Sequence, residues 1–248
     1  MGLVKKPAEL KRMRVAGKIT AKVLERIVNH ICPGMTTMEI DRFTTASIKE
    51  YGAKSAFLGY RGYPGSVCIS VNDEVVHGVP GNRRIQTGDI VSIDIGVVVD
   101  SFYGDMAKTI MIGVHDPEII SLVNTAEKAL CAGIAKAVAG NHLSDVSHAI
   151  ETCASQNGFS VVREFVGHGI GRKMHEEPQI PNFGPPGKGP LLKDAMTLAI
   201  EPMLNMGVPD VEILNDGWTA VTRDRKLSAH FEHTVGVGRG KAEILTVA

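Results

Sequence analysis

Four carboxylates lie in or beside apolar segments of this 248-residue sequence, where charged side chains are unusual. Asp94 interrupts IVSIDIG (90–96), Glu201 interrupts LAIEPM (198–203), Glu232 interrupts FEHTV (231–235), and Asp105 follows FYG (102–104). A buried carboxylate must pair with a positive charge or bind a metal ion, because burying an isolated charge is very unfavourable. The four acids are therefore candidate ligands of a cation.

Two of these acids are predicted to face each other across a β-hairpin. The β-branched run around Asp94 predicts a strand, and Asp100 is interpreted as a turn residue. A hairpin that pivots between Val99 and Asp100 sets Asp94 opposite Asp105. Like charges in such a pair repel each other unless a cation bridges them.

His168 is the candidate nitrogen ligand. It lies in GHGIG (167–171), where glycines on both sides allow a close approach to the backbone. A lone histidine in such a loop is more often solvated, so the prediction depends on the four acids. His77 and His175 are further candidates. Four other histidines are predicted to lie at the surface, namely His30, His115, His142 and His148.

Four carboxylates and one imidazole match the charge of two divalent cations. Oxygen-rich ligation favours Mn, Fe(II), Co or Zn over a metal held by thiolates. Such a site lowers the pKa of bound water and so provides a nucleophile at neutral pH. The sequence contains no HExxH, Walker A, GxSxG or GxGxxG pattern, which excludes the common motifs of several other enzyme classes.

The elements predicted around these residues follow the order helix, helix, strands, and then the same order again. Apolar periodicity, capping residues and Pro or Gly breakers predict helices over Pro7–Ile31, Thr36–Tyr51, Asp116–Val138 and Leu143–Gln156. Alternating and β-branched segments predict strands in 57–98 and 159–245. The pattern indicates an α+β fold.

The repeated order suggests an internal duplication. Gly34 and Gly52 are 18 positions apart, as are Gly140 and Gly158, and the second pair follows the first by 106 positions. The alternative is two unrelated helical hairpins of similar size. A duplication would place the site between the halves. The prediction is a single domain over 1–248 with halves of about 7–112 and 116–248.

Composition excludes several function classes. Lys+Arg and Asp+Glu are both 27, so the net charge is zero, which argues against a general nucleic-acid or acidic-membrane binder. No apolar run is long enough for a transmembrane helix. Four cysteines without a CxxC pair indicate free thiols in a reducing compartment, and the cytoplasm is the predicted location.

Seven ordered motifs resemble those of type I methionine aminopeptidases, over nearly the whole chain. The match is closest to the short bacterial form, since a zinc-finger extension is lacking and only 30 residues separate Glu201 from Glu232, too few for the type II insertion. The motifs are VVHG (75–78), SIDIG (92–96), YGD (103–105), GHGIG (167–171), HEEP (175–178), IEPM (200–203) and FEHT (231–234).

The resemblance implies the pita-bread fold, in which a pseudo-two-fold pair of curved antiparallel sheets is covered by helices and holds a dinuclear metal site. It implies that two divalent ions are bridged by Asp105 and Glu232. The implied metal ligands are Asp94, Asp105, His168, Glu201 and Glu232.

The implied reaction is removal of the initiator methionine from nascent proteins when the second residue is small, by attack of a metal-activated water on the scissile carbonyl. His77 would hydrogen-bond the scissile amide nitrogen, and His175 would stabilise the developing oxyanion. Glu201 would also handle the proton of the attacking water.

A methionine side chain needs an apolar pocket, which aromatic rings and sulfur atoms line well. Tyr60, Tyr63, Cys68 and Trp218 match the family's pocket positions, with ordinary core packing as the alternative for the aromatic residues. Phe57 and Met174 occupy pocket-edge positions where they are not typical of the family, which concerns fine specificity.

Two other functions remain open at this stage. An Xaa-Pro peptidase of the same fold usually carries an extra N-terminal domain, and a non-catalytic peptide-binding or ribosome-associated module would be expected to lose ligands. The expected partners are N-termini of nascent chains, with no nucleic acid or membrane partner and a monomeric state. The first helix is a candidate ribosome contact or simply a solvated face, through Lys5, Lys6, Lys11, Arg12 and Arg14.

Overall fold

The computed structural model describes residues 3–248. Its α-helices agree with the predicted ones to within two residues at each end; the single domain predicted over 1–248 extends to Met1 and Gly2, which lie outside the described residues. Within the described range no helix is both long and apolar enough to cross a bilayer. The helices are α1 (Pro7–His30), α2 (Thr37–Glu50), α3 (Pro117–Lys136) and α4 (Leu143–Gln156).

Side-chain caps define where two of these helices begin. The Thr36 hydroxyl accepts the backbone N–H of Glu39 at 3.1 Å, and the Glu39 carboxylate accepts the Thr36 N–H at 2.7 Å. This reciprocal pair is the capping box that the sequence predicts for α2. The Asp116 carboxylate accepts the N–H of Glu118 at 2.8 Å, so Asp116 caps α3 and the helix itself starts at Pro117.

The strands of residues 3–248 are mostly short. They are β1 (Lys54–Ser55), β2 (Cys68–Val71), β3 (Glu74–Val76), β4 (Ile90–Val99), β5 (Phe102–Met111), β6 (Ser160–Val161), β7 (Gly167–Gly169), β8 (Glu176–Ile180), β9 (Thr197–Ile200), β10 (Met203–Asn205), β11 (Val211–Ile213), β12 (Ala220–Thr222), β13 (Ser228–His230), β14 (Glu232–Gly236) and β15 (Glu243–Ile244).

A central antiparallel sheet joins the two parts of the chain. Its order is β1-β4-β5-β14-β9-β7-β8, with β2 also paired to β4 and β15 to β14. Two three-stranded sheets, β13-β10-β6 and β11-β12-β3, continue from it. One apolar core, with Leu24, Ile40 and Ile93, lies under α1 and α2; another, with Leu130 and Leu198, lies under α3 and α4.

The helical part of the 106-residue repeat is present in the structure. Helices α2 and α4 each have 14 residues, and both ends of α4 follow those of α2 by 106 positions. The glycines that flank them share the left-handed backbone, with φ of 94° at Gly34 and 98° at Gly140, and 66° at Gly52 and 81° at Gly158. The division of the whole chain into two halves stays a prediction.

The predicted register of the β4–β5 hairpin is wrong by two residues. Asp100 and Ser101 both have positive φ, 48° and 63°, as in a two-residue type I′ turn, so Val99 pairs with Phe102. Asp94 therefore lies opposite Ala107, and Asp105 lies opposite Gly96. A shift of two residues preserves the face of the sheet, so the two acids remain diagonal neighbours on one side.

We expect Gly169→Ala to destabilise the protein by roughly 1–3 kcal/mol, because a Cβ at this position overlaps the Glu177 carbonyl group, whose carbon would lie 2.7 Å away. Strands β7 and β8 would have to separate. Urea unfolding measures the effect. Gly240→Ala is the matched control, since its Cβ meets nothing within 4 Å. Equal stability of the two variants would contradict the close strand approach.

Candidate metal centre

Two cross-strand rows bring the candidate ligands together on one face of the central sheet. In the first row, Cys68 lies opposite Asp94, Asp94 opposite Ala107, and Ala107 opposite Glu232. Glu201 follows β9 directly, and the pairing of β9 with β14 continues into that of β10 with β13. This register sets Glu201 opposite Glu232, so three acids share one row.

The second row lies two residues along each strand and therefore on the same face. It runs from Gly96 to Asp105, and on the far side Ala199 pairs with both Thr234 and His168. Thr234 joins the two parts, because its hydroxyl accepts the backbone N–H of Asp105 at 3.0 Å and donates to its carbonyl at 2.9 Å. The structure thus brings all five predicted ligands to the junction of β5 and β14.

A hydrogen bond orients the His168 ring for ligation. Nδ1 lies 2.8 Å from the Gly169 carbonyl, which can only accept, so Nδ1 carries the proton and Nε2 offers a lone pair. Nε2 faces Oδ2 of Asp105 at 3.7 Å and Oε1 of Glu201 at 3.5 Å. Ligand atoms of Asp105, His168 and Glu232 all lie within 4.8 Å of one another, close enough to share an ion.

The carboxylates fit a divalent cation because protein groups leave them uncompensated. Within residues 3–248, Oδ1 of Asp94, Oδ1 of Asp105 and Oε1 of Glu232 are buried without a hydrogen-bond partner. Burial raises the pKa of Asp105 to about 8, and burial with mutual repulsion raises those of Asp94, Glu201 and Glu232. Only protons or cations can neutralise such a cluster, and its oxygen-rich donors with one imidazole suit divalent metals.

The acids form one wall of a cavity of about 160 Å³, and the opposite wall is apolar. Tyr63 stacks edge to face on Trp218, with ring centroids 5.1 Å apart, and its hydroxyl donates to the Gly78 carbonyl at 2.9 Å. The cavity also contains His77 and His175. All six predicted pocket residues line it, namely Phe57, Tyr60, Tyr63, Cys68, Met174 and Trp218.

Phe57 and Met174 pack directly against strand β4. A Cβ on Gly96 would lie 2.7 Å from Cε1 of Phe57 and 3.1 Å from Cε of Met174. The two side chains therefore use the space that this glycine leaves, at the position opposite Asp105. This contact joins the apolar wall to strand β4, which carries Asp94.

His77 and His175 are neutral near pH 7 and are held by different contacts. Burial lowers the pKa of each to about 4. His77 adopts the left-handed backbone, φ 59°, which is uncommon for a residue with a Cβ and is typical of strained functional positions. Nδ1 of His175 lies 2.8 Å from the Tyr60 hydroxyl, and its ring centroid is 4.3 Å from that of His168.

A buried ion pair anchors the loop that carries His175. Nζ of Lys5 donates to Oε2 of Glu176 at 2.7 Å, and Oε1 of Glu176 accepts the backbone N–H of Arg172 at 2.8 Å. Lys5 differs from the prediction of a solvated face, because it is buried. Arg14 is exposed, as predicted, and pairs with Glu243 at 2.6 Å. Two of the five cations proposed for ribosome contact are thus already paired.

His230 is absent from the predicted site residues, yet it belongs to this region. It is 1% exposed, and its Nε2 lies 4.0 Å from Oε2 of Glu201. The signal was in the sequence, since a histidine in the segment SAHFEH is as anomalous as Glu232 two positions later. Of the four histidines predicted to lie at the surface, His30, His115 and His148 are exposed, and His142 is half-buried.

Comparison with known proteins gives one consistent result. The sequence model of metallopeptidase family M24 matches residues 11–239. A methionine aminopeptidase of Clostridium perfringens is 49% identical over 247 residues, covering 100% of this chain and 99% of that protein. The crystal structure of methionine aminopeptidase from Thermotoga maritima superposes with a TM-score of 0.97 at 44% identity, covering 99% of both chains.

A more distant structure shares only the fold. The prolidase from Pyrococcus furiosus superposes with a TM-score of 0.79 at 20% identity and covers 99% of this chain but 66% of that one. Together with the Thermotoga structure, this superposition confirms the pita-bread fold and its α+β class.

The buried acids predict a pH-dependent loss of stability in the metal-free protein. An unfolded Asp titrates near pH 4, whereas folded Asp105 holds its proton to about pH 8. Stability from this proton is complete below about pH 4 and is lost as pH rises through 8, with a slope of up to about 1.4 kcal/mol per pH unit. Urea unfolding of chelated protein should give a lower midpoint at pH 8 than at pH 7, and Mn(II) should restore it. This range lies above the one in which the buried histidines, with pKa values lowered to about 4, contribute a slope of the opposite sign.

Asp105→Asn removes the contribution of one acid of this cluster. Burial also raises the pKa of Glu74 to about 7 and the pKa values of Asp94, Glu201 and Glu232, so these acids contribute slopes of the same sign. The asparagine variant should keep a pH slope from the remaining acids and lose the slope that Asp105 contributes. An identical pH slope in wild type and variant would contradict the assignment.

Proposed function

The chain belongs to metallopeptidase family M24, and from this premise we propose that it is a methionine aminopeptidase, which hydrolyses the peptide bond after an N-terminal methionine. The observation that carries the proposal is a single cavity with four buried or half-buried carboxylates and an imidazole on one wall and aromatic and sulfur-containing side chains on the other. The near full-length similarity to named methionine aminopeptidases supports the same activity.

The protein depends on divalent metal, as a member of a metallopeptidase family with a fitting donor cluster. We propose two ions, chosen from Co, Mn, Fe(II) and Zn, with Asp105 and Glu232 as the bridging ligands. Such ions, when bound, act as Lewis acids and lower the pKa of water. The other proposed ligands are Asp94, His168 and Glu201.

The protein groups around the cavity have distinct proposed roles. His175 donates a hydrogen bond from Nε2 to the scissile carbonyl oxygen, and the Tyr60 hydroxyl at Nδ1 supports the tautomer that this requires. His77 binds the nitrogen side of the scissile amide. Glu201 accepts the proton of the attacking water, consistent with the upward shift of its pKa by burial and by Asp105 and Asp94.

The apolar wall is the proposed site of the methionine side chain. Its thioether would contact Trp218, Tyr63 and Cys68, because sulfur packs favourably against aromatic rings. Phe57 and Met174, which narrow the wall at Gly96, would tune which unbranched side chains enter. The preference for a small second residue rests on the family resemblance.

The substrates, oligomeric state and location of the protein are also proposals. The substrates are N-termini of nascent proteins, and the chain acts as a monomer built from one catalytic domain. The four cysteines form no disulfide within residues 3–248, which supports a reducing compartment such as the cytoplasm. Ribosome contact would use the exposed cations of the α1 region, Lys6, Lys11 and Arg12.

Peptide hydrolysis tests the proposed function directly. Chelated protein with Mn(II), Co(II), Fe(II) or Zn(II) added back should cleave Met-Ala-Ser and leave Ala-Pro-Ser intact, while metal-free protein cleaves neither. Cleavage of Ala-Pro-Ser instead would indicate an Xaa-Pro peptidase. No cleavage of either peptide by protein with bound metal would indicate a binding module.

Substitutions separate metal ligands from groups that act on the substrate. His77→Ala and His175→Ala should lower kcat by about 10²–10³-fold with metal content unchanged, because a polarising hydrogen bond is lost. Asp105→Ala and Glu232→Ala should lose both metal and activity. Metal analysis and steady-state kinetics measure metal content and activity in each variant. Loss of metal in either histidine variant would refute the role assigned to that histidine.

A further inference from the structure

His230 is a buried imidazole whose ring nitrogens have no hydrogen-bond partner within residues 3–248. Its backbone is fixed, since its N–H donates to Oγ1 of Thr109 at 2.9 Å and its carbonyl accepts from the same hydroxyl at 2.8 Å. Pairing with Met203 holds it at the end of β13. A buried polar side chain without a partner is unfavourable and calls for an explanation.

The second oxygen of Glu201 lies close to this ring. Nε2 of His230 lies 4.0 Å from Oε2 of Glu201, whereas Oε1 lies 3.5 Å from Nε2 of His168. The two oxygens of the Glu201 carboxylate therefore face different imidazoles, one of which is the candidate ligand His168. A gap of 4.0 Å is closed by one bridging water or by a small rotation of either side chain.

Within residues 3–248 no hydrogen bond fixes the orientation of this carboxylate. Glu201 is followed by Pro202 between β9 and β10, its side-chain oxygens accept no hydrogen bond from the described residues, and the imidazoles of His168 and His230 lie 3.5 and 4.0 Å from them. A carboxylate that both faces a metal site and receives a proton must keep its two oxygens distinct. A donor on Oε2 would do this.

We propose that His230 is a positioning residue for Glu201: its Nε2–H donates to Oε2, directly or through one water, and thereby holds Oε1 towards His168 and the metal site. The proposal rests on the role of Glu201 in the proposed function. It requires one N–H donor at this place, which a neutral imidazole has and an aliphatic side chain lacks.

Two variants of His230 separate donation from packing. His230→Leu removes the donor at similar volume, and His230→Gln keeps an N–H donor. His233→Leu is the matched control, because His233 is a half-buried histidine of the adjoining strand that faces away from the site and pairs through Nδ1 with Thr246 at 2.8 Å. Thermal unfolding checks that each variant is folded, and His230→Met replaces the leucine variant should that one not fold.

The readouts are kcat and KM for Met-Ala-Ser, Mn(II) affinity of the chelated protein by calorimetry, and the visible absorption of the Co(II)-loaded protein. We expect His230→Leu to lower kcat and metal affinity by about 10–100-fold with little change in KM, and to alter the Co(II) bands. His230→Gln should keep most of the wild-type kcat and metal affinity, and His233→Leu should resemble wild type.

The proposal is overturned if His230→Leu stays within about twofold of wild type in kcat and metal affinity, or if His230→Gln loses as much as His230→Leu. The second result would mean that the imidazole itself is required, as for a ligand. Failure of the proposed function is a separate outcome: wild type would then leave Met-Ala-Ser intact with every metal, while the Mn(II) affinities of the variants would still test His230.

Discussion

Mutual repulsion among four buried carboxylates is the constraint to which the rest of this structure responds. At the junction of β5 and β14 the acids lie in two adjacent rows, and charges a few ångströms apart in a buried site repel strongly. Ala107 lies between Asp94 and Glu232 in the first row, so only a methyl side chain separates these two acids. Such an arrangement is stable when a cation neutralises it.

The two parts of the chain share the task of holding these charges in place. Asp94 and Asp105 come from the hairpin beside α1 and α2, and Glu201 and Glu232 come from strands beside α3 and α4. Thr234 ties β14 to β5 through both backbone groups of Asp105. Each helical pair covers its own apolar core, and the site lies at the junction of β5 and β14 in the central sheet. That location lets one cavity combine a charged wall with an apolar one.

Local signals in the sequence were sufficient for the helices and for the identity of the acids. The Thr36 and Asp116 caps mark helix starts because their side chains bond to backbone N–H groups a few residues ahead. Asp94, Glu201 and Glu232 stand out because their neighbours are apolar. The family resemblance, rather than any local pattern, predicted the fold and the pocket residues.

Strand register and contacts between residues far apart in the sequence were not predictable from local sequence signals. The β4–β5 register depends on whether Val99 and Asp100 or Asp100 and Ser101 form the two-residue turn, and local residue preferences do not fix that choice. The pairing of β5 with β14 links residues more than 120 positions apart. The apolar neighbours of His230 mark it as unusual in the sequence, but its proximity to Glu201 depends on the position of strand β13, and no spacing rule relates the two residues.

Diffraction from crystals grown with Mn(II), recorded near the manganese absorption edge, tests the central claim most directly. The account predicts two anomalous peaks in the cavity, both contacted by Asp105 and Glu232, with Asp94, His168 and Glu201 completing the ligation. Peaks elsewhere, or ordered protein without a peak between these carboxylates, would contradict the claim that the acidic cluster is a metal centre.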